Sequence, residues 1–384
     1  MEHLLNQHVK DIEISGIRKF SNMVSQTDGL ISLTIGQPDF PTPAHIKNAG
    51  IKAIEADFTT YTHNAGTLEL RKAASHFTAE KYGLDYNPES EVIVTMGASE
   101  AIDITFRTIL TEGTEVILPG PIYPGYEPII RMMGAIPVHV DTRQSQFRFT
   151  LDLIKPYITD KTRCIVLPYP SNPTGVSLTE EELKEIAGYF KDLDIFILAD
   201  EIYSELTFGR AHKSIGCFLK EKSIIINGLS KSHSMTGWRI GFLFAPENIA
   251  KHILKVHQYN VSCANSIAQK AAYEALTAGL NDAVTMRIEY EARRDYVFQS
   301  LQAMGLETVK PEGAFYFFVK IPDTIPLNSF DFALDLVKES KVAVVPGSAF
   351  SKFGEGYFRL SFACSKETLE LGLGRIEQYL QKWR

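Results

Sequence analysis

Cysteine is scarce in this chain: four in 384 residues, Cys164, Cys217, Cys263 and Cys364, all far apart. With no CxxC pair, neither a zinc site nor a dithiol redox centre is signalled, and buried reduced thiols are the expectation. Positive charge is also short. A formal net charge of -7 argues against nucleic acid as the main partner, because phosphate backbones demand a basic face. That balance leaves room for a local cationic pocket. No apolar run reaches the ~18 residues of a membrane span. The opening "MEHLLNQHVKDIEISGIRKF" lacks a basic head followed by an apolar core, so no signal peptide is read. A cytoplasmic protein with no membrane partner is the expectation. No GxGxxG occurs, which removes the fingerprint that a nicotinamide dehydrogenase needs.

What is there is ordinary globular composition, 45% apolar and 22% charged. Seven short apolar runs follow one another: "EVIVT" (91–95), "EVILP" (115–119), "IPVHV" (136–140), "RCIVLP" (163–168), "IFILAD" (195–200), "SIIIN" (223–227) and "GFLFA" (241–245). Segments of helical period lie between most of them, including "TEEELKEIAGYFKDL", which opens on a capping box, Thr179 to Glu182. Continuous apolar strands separated by helices predict an α/β fold, a mostly parallel seven-stranded sheet covered on both faces. After Gly279 the rhythm changes to a long helix, "GAFYFF", a helix near 329–340, "VAVVP", "YFRLSF" and a last helix. That pattern predicts a smaller α+β domain. The expected division is an arm at 1–43 belonging partly to the small domain, a large domain at 44–280 and a small domain at 281–384. The arm forms no compact unit of its own and is expected to lie across the small domain or a partner subunit.

In open parallel sheets ligands bind beyond the carboxyl ends of the strands. After "EVIVT" comes Gly97-Ala98-Ser99-Glu100 and a helix, a turn that offers free N–H groups to an anion. "RCIVLP" leads to Asn172, "IFILAD" to Asp200 and Tyr203, and "SIIIN" to Lys231, with Arg239 eight residues on. Taken singly, each has a plain reading: Ser99 and Asp200 as helix caps, Asn172 as a turn residue, Tyr203 as packing, Lys231 and Arg239 as solvated charges. Together they meet the needs of pyridoxal phosphate. That cofactor takes a lysine amine on its aldehyde, an acid on its ring nitrogen and an anion cradle on its phosphate. Lys231 supplies the amine and Asp200 the acid. Ala98, Ser99 and Arg239 supply the cradle. Tyr203 and Asn172 reach the ring hydroxyl, and Tyr123 stacks on the ring.

The motifs "SLTIGQPDF", "YTHNAGTLELR", "GASEAI", "PGPIYPGY", "YPSNPTG", "ADEIYSEL", "GLSKSHSMTGWRIG" and "YFRLSFA" span nearly the whole chain. In them it resembles the class I/II aminotransferases of pyridoxal-phosphate fold type I. The resemblance implies that Lys231 also shuttles the substrate proton. It implies that Arg359 clamps the substrate α-carboxylate with Asn172 and the Gly36 backbone, and that Ile17 and Tyr123 touch substrate. Tyr61 is implied to reach the phosphate in a neighbouring subunit, hence a homodimer with shared sites. Two departures stand out. Gly228 occupies a position where many members carry a phosphate-binding serine, and Ser230 is the candidate substitute. No second arginine for a distal carboxylate is identified. Full-length likeness within the family implies acylated diaminopimelate as substrate, in lysine biosynthesis. Aspartate or aromatic transamination, and a cysteine-sulfur β-lyase reaction, are the alternatives. His233 is read as a core residue. His252 and His257, five apart, do not share a helical face as a metal pair would, and no metal is expected.

Overall fold

The computed structural model describes residues 1–383. The seven apolar runs become β2 (Val92–Thr95), β3 (Glu115–Gly120), β4 (Ile136–Asp141), β5 (Thr162–Leu167), β6 (Phe196–Asp200), β7 (Ser223–Gly228) and β8 (Gly241–Phe244), after a short β1 (Ile31–Ser32). They form one sheet in the order β2-β8-β7-β6-β5-β3-β4. β8 runs antiparallel to both its neighbours, and every other pair is parallel. The runs are continuous rather than alternating because both faces of the sheet are covered. Val92, Val94, Ile165, Ile197 and Ile225 feed the core on one face; Ile93, Val166, Leu198, Ile224 and Ile226 feed the core on the other.

The helix Glu180–Phe190 starts where the capping box predicts. The Glu182 amide donates to Thr179 Oγ1 at 3.1 Å, and the Thr179 amide donates to Glu182 Oε2 at 2.7 Å.

A second unit holds β9 (Tyr316–Lys320), β10 (Val342–Ala343), β11 (Val345–Pro346) and β12 (Tyr357–Ser361) with the helices Ala283–Ala303, Ser329–Ser340 and Lys366–Gln381. Its sheet is antiparallel, in the order β11-β12-β9. The N-terminal arm joins it. The helix Gly16–Val24 drops Phe20 and Val24 into the same core, and Ile31 of β1 pairs in parallel with Val342. The thiols divide. Cys164 and Cys364 are buried, and burial pushes the Cys164 thiol up to about 12. Cys217 is exposed and Cys263 half-buried, against the expectation that all four are interior. Cys217 ends a short 3-10 turn, Ile215–Cys217, and Cys263 lies in the bend between two helices, so neither is held inside a packed layer.

Candidate active site

The carboxyl ends of the strands deliver their residues to one cleft of about 490 Å³. β6 ends on Asp200. β7 runs straight into the one-turn helix Leu229–Ser232, which carries Lys231. β2 passes through Gly97 into the helix Ala98–Ile109, whose N-terminus has no side-chain cap and leaves amides free beside the Arg239 guanidinium. Twelve of the thirteen predicted site residues line this cleft. Tyr61 does not; it is exposed on the outer surface of the chain.

The contacts are specific. Lys231 Nζ donates to the Gly36 carbonyl at 2.6 Å. Burial, reinforced by the positive charges of Arg359 and Arg239, pulls its amine down to about 8, with Asp200 pulling the other way. Asp200 is buried, which pushes its carboxyl up; a Tyr126 hydroxyl at 2.6 Å and the Ile202 amide at 3.2 Å offset part of that rise. Arg359 is also buried. Its Nη1 donates to Asn172 Oδ1 and its Nη2 to the Thr34 carbonyl, each at 2.8 Å, while Nε has no partner. Among the described residues no carboxylate pairs with it. A buried guanidinium without an acid is costly, so the arrangement awaits an anion. Lys231, Arg239 and Arg359 face one carboxylate, Asp200, across the cleft. An acidic protein thus holds a cationic pocket suited to anionic substrates.

The cradle is shaped by absent side chains. A Cβ on Gly241 would lie 2.7 Å from the Gly97 carbonyl carbon and 2.8 Å from the Ala98 nitrogen. Gly97 itself has φ +82°, and a Cβ there would sit 2.6 Å from Arg239 Nη2. Gly228 has a similar cause. A Cβ would press to 3.1 Å on both Ile202 Cδ1 and the Ile240 carbonyl, so a serine there would crowd the β7–β8 pair. Ser230 lies in the cleft lining beside Lys231.

Known proteins bear the same pattern. The family model for aminotransferase class I and II matches residues 28–376. The chain is a class I/II aminotransferase. A Bacillus subtilis relative, named probable N-acetyl-LL-diaminopimelate aminotransferase, is 61% identical over 100% of this chain and 98% of its own length. Aromatic-amino-acid aminotransferase 2 of Thermococcus litoralis is 40% identical over 98% of each chain. The solved structure of the Thermus thermophilus aspartate aminotransferase with maleate superposes with a TM-score of 0.93 at 34% identity, covering 97% of this chain and 99% of that one.

Three features of this aminotransferase escaped the sequence reading. Tyr126, three residues after Tyr123, turns out to hold Asp200. Tyr316 donates to or accepts from the Tyr203 hydroxyl at 2.9 Å and lies 4.2 Å under the Arg359 guanidinium. Arg18, next to the cleft residue Ile17, is exposed and close enough to act electrostatically on the Tyr123 hydroxyl. A spacing of three to Tyr123 was the available signal for Tyr126. Tyr316 carried none, because aromatic residues in "GAFYFF" read as core.

Proposed function

We propose that the enzyme works with pyridoxal 5′-phosphate and moves an amino group between N-acetyl-LL-2,6-diaminopimelate and 2-oxoglutarate, a step of lysine biosynthesis. One observation carries the chemistry: an amine pulled down to about 8 stands in the same cleft as a buried acid and a buried arginine that lacks one. The site fits the cofactor. The glycine-built cradle with Arg239 suits its phosphate, and Asp200 suits a cationic ring nitrogen, which would offset the cost of the buried carboxylate. Bound pyridoxal phosphate supplies an aldehyde that takes up amino groups and a ring that withdraws electrons from the substrate α-carbon.

The remaining work falls to side chains. Arg359, steadied by Asn172 and Thr34, binds the substrate α-carboxylate in bidentate fashion. With the cofactor bound, the free Lys231 amine, pulled down to about 8, would take the α-proton as general base and would return it on the cofactor side. Tyr203, hydrogen-bonded to Tyr316, would orient the ring hydroxyl, and Tyr123 would cover the ring face. The substrate assignment rests on the 61% identity to the Bacillus subtilis relative. Exposed Tyr61 supports a homodimer in which each copy completes the other's phosphate site. Four cysteines without a disulfide support a reducing, cytoplasmic compartment. The division at 43 and 280 is proposed for the domains, on the change from parallel sheet to antiparallel sheet.

The test is a donor panel with 2-oxoglutarate on the purified, cofactor-loaded enzyme: acylated diaminopimelate, aspartate, aromatic amino acids and a cysteine conjugate. The acylated donor should give the highest kcat/KM. A higher value for aspartate or an aromatic donor would reassign the substrate. Pyruvate and ammonia from the cysteine conjugate, without use of the oxo acid, would mark β-elimination.

A further inference from the structure

Glu100 stands in the first turn of the helix Ala98–Ile109, directly behind the anion cradle. Its Oε2 accepts the Met96 amide at 2.5 Å, which folds the strand-to-helix turn back on itself. A carboxylate in that place shapes the cradle but also repels the anion that the cradle is built for. Its other oxygen is answered from behind. Oε1 lies 2.8 Å from Nδ1 of His257, on the helix Glu247–Val261. The His257 side chain is 0% exposed and that of Glu100 10%, so solvent screens the pair little. The second ring nitrogen, Nε2, lies 2.9 Å from the Asn64 carbonyl. Both partners are acceptors, and only a doubly protonated ring donates to both. Asn64 belongs to the loop that carries Tyr61, and its side chain donates to Gln258 at 3.0 Å. One histidine therefore ties the cradle to that loop.

We propose that His257 is a positioning residue for the phosphate end of the cofactor: it cancels the charge of Glu100, so that Glu100 braces the cradle without repelling the phosphate. The inference rests on the pyridoxal phosphate reading above. It adds a requirement specific to the phosphate, acting through Glu100, that a residue of purely structural value would not impose.

The experiment titrates the full-length enzyme, stripped of cofactor, with pyridoxal phosphate and separately with pyridoxal, which lacks the phosphate. Absorbance reports binding. H257Q should bind pyridoxal phosphate roughly tenfold more weakly, the effect of one uncompensated charge at short range, with pyridoxal affinity unchanged. E100Q keeps an acceptor for the Met96 amide and removes the charge, so it should bind pyridoxal phosphate as well as or better than the parent. The double variant E100Q/H257Q should recover to within about threefold of the parent. Equal weakening of both ligands in H257Q, no weakening at all, or a double variant as weak as H257Q would each overturn the proposal. If H257Q does not fold, E100Q decides: selective loss of pyridoxal phosphate there overturns it. A parent enzyme that binds neither ligand would instead remove the cofactor reading, and this inference with it.

Discussion

The Tyr126 hydroxyl donates to Asp200 Oδ2 at 2.6 Å in the buried floor of the cleft. Sequence places the two 74 residues apart; the sheet brings the start of one helix against the end of β6. Burial alone would favour a neutral Asp200, and the Tyr126 hydrogen bond favours the carboxylate. Tyr126→Phe removes that donor and nothing else of size. A hydrogen bond to a charged group is worth about 1.5–3 kcal/mol, which predicts a kcat about tenfold to a hundredfold lower. KM for the amino donor should stay within about twofold. Steady-state kinetics check this, and an unchanged kcat would show that Tyr126 does not support Asp200.

Arg359→Lys keeps the charge and loses the fork. A lysine cannot hold Asn172 Oδ1 and the Thr34 carbonyl while meeting a carboxylate with two parallel bonds. KM should rise about tenfold to a hundredfold for amino acids and oxo acids alike, because both carry the α-carboxylate. A rise confined to one class would place the clamp elsewhere.

Lys231 also predicts how stability depends on pH. Its folded value is about 8 against 10.5 for a free lysine. Below about pH 8 the cofactor-free fold carries a desolvated ammonium that the unfolded chain does not. Between 8 and 10.5 the unfolded chain binds more protons, so stability rises with pH across that window. The full effect is up to about 3 kcal/mol, trimmed by solvent in the open cleft. Cofactor-free Lys231→Met should therefore melt higher than the parent at pH 7, with the gap narrowing by pH 10. Thermal melts at both pH values decide it; a gap that does not change with pH would contradict the assigned amine.

Gly241→Ala tests the cradle. Its Cβ would fall 2.7 Å from the Gly97 carbonyl carbon, and backbone must move to admit it. Strain of about 1–3 kcal/mol, placed on the turn proposed to bind the cofactor phosphate, predicts cofactor affinity about tenfold lower or worse. Cofactor retained through gel filtration measures it. Full retention would mean that the turn yields without cost.

Much of the fold was legible because its signals are local. A buried parallel strand has to be apolar throughout, so the seven runs showed themselves, and the residue after each run falls at the ligand edge by topology alone. Lys231, Asp200 and Asn172 could be found that way. The site's supports could not. Tyr126, Tyr316 and His257 look like packing in sequence, and their partners lie 74, 113 and 157 residues away. In sequence His257 shows only its neighbour His252 on the same helix, whereas its partner Glu100 sits on another. Glu100 at the third position of its helix was the one local hint, since a glutamate there commonly reaches back to the turn. The exposed Cys217 shows the converse: residue type sets a preference for burial that the end of a short surface turn overrides.

The central claim is that Lys231 holds pyridoxal phosphate covalently. Borohydride reduction of the native enzyme, followed by peptide mass analysis, tests it most directly. The account predicts a pyridoxyl group fixed on the peptide containing Lys231 and on no other lysine. An unlabelled Lys231 peptide from active enzyme would contradict it.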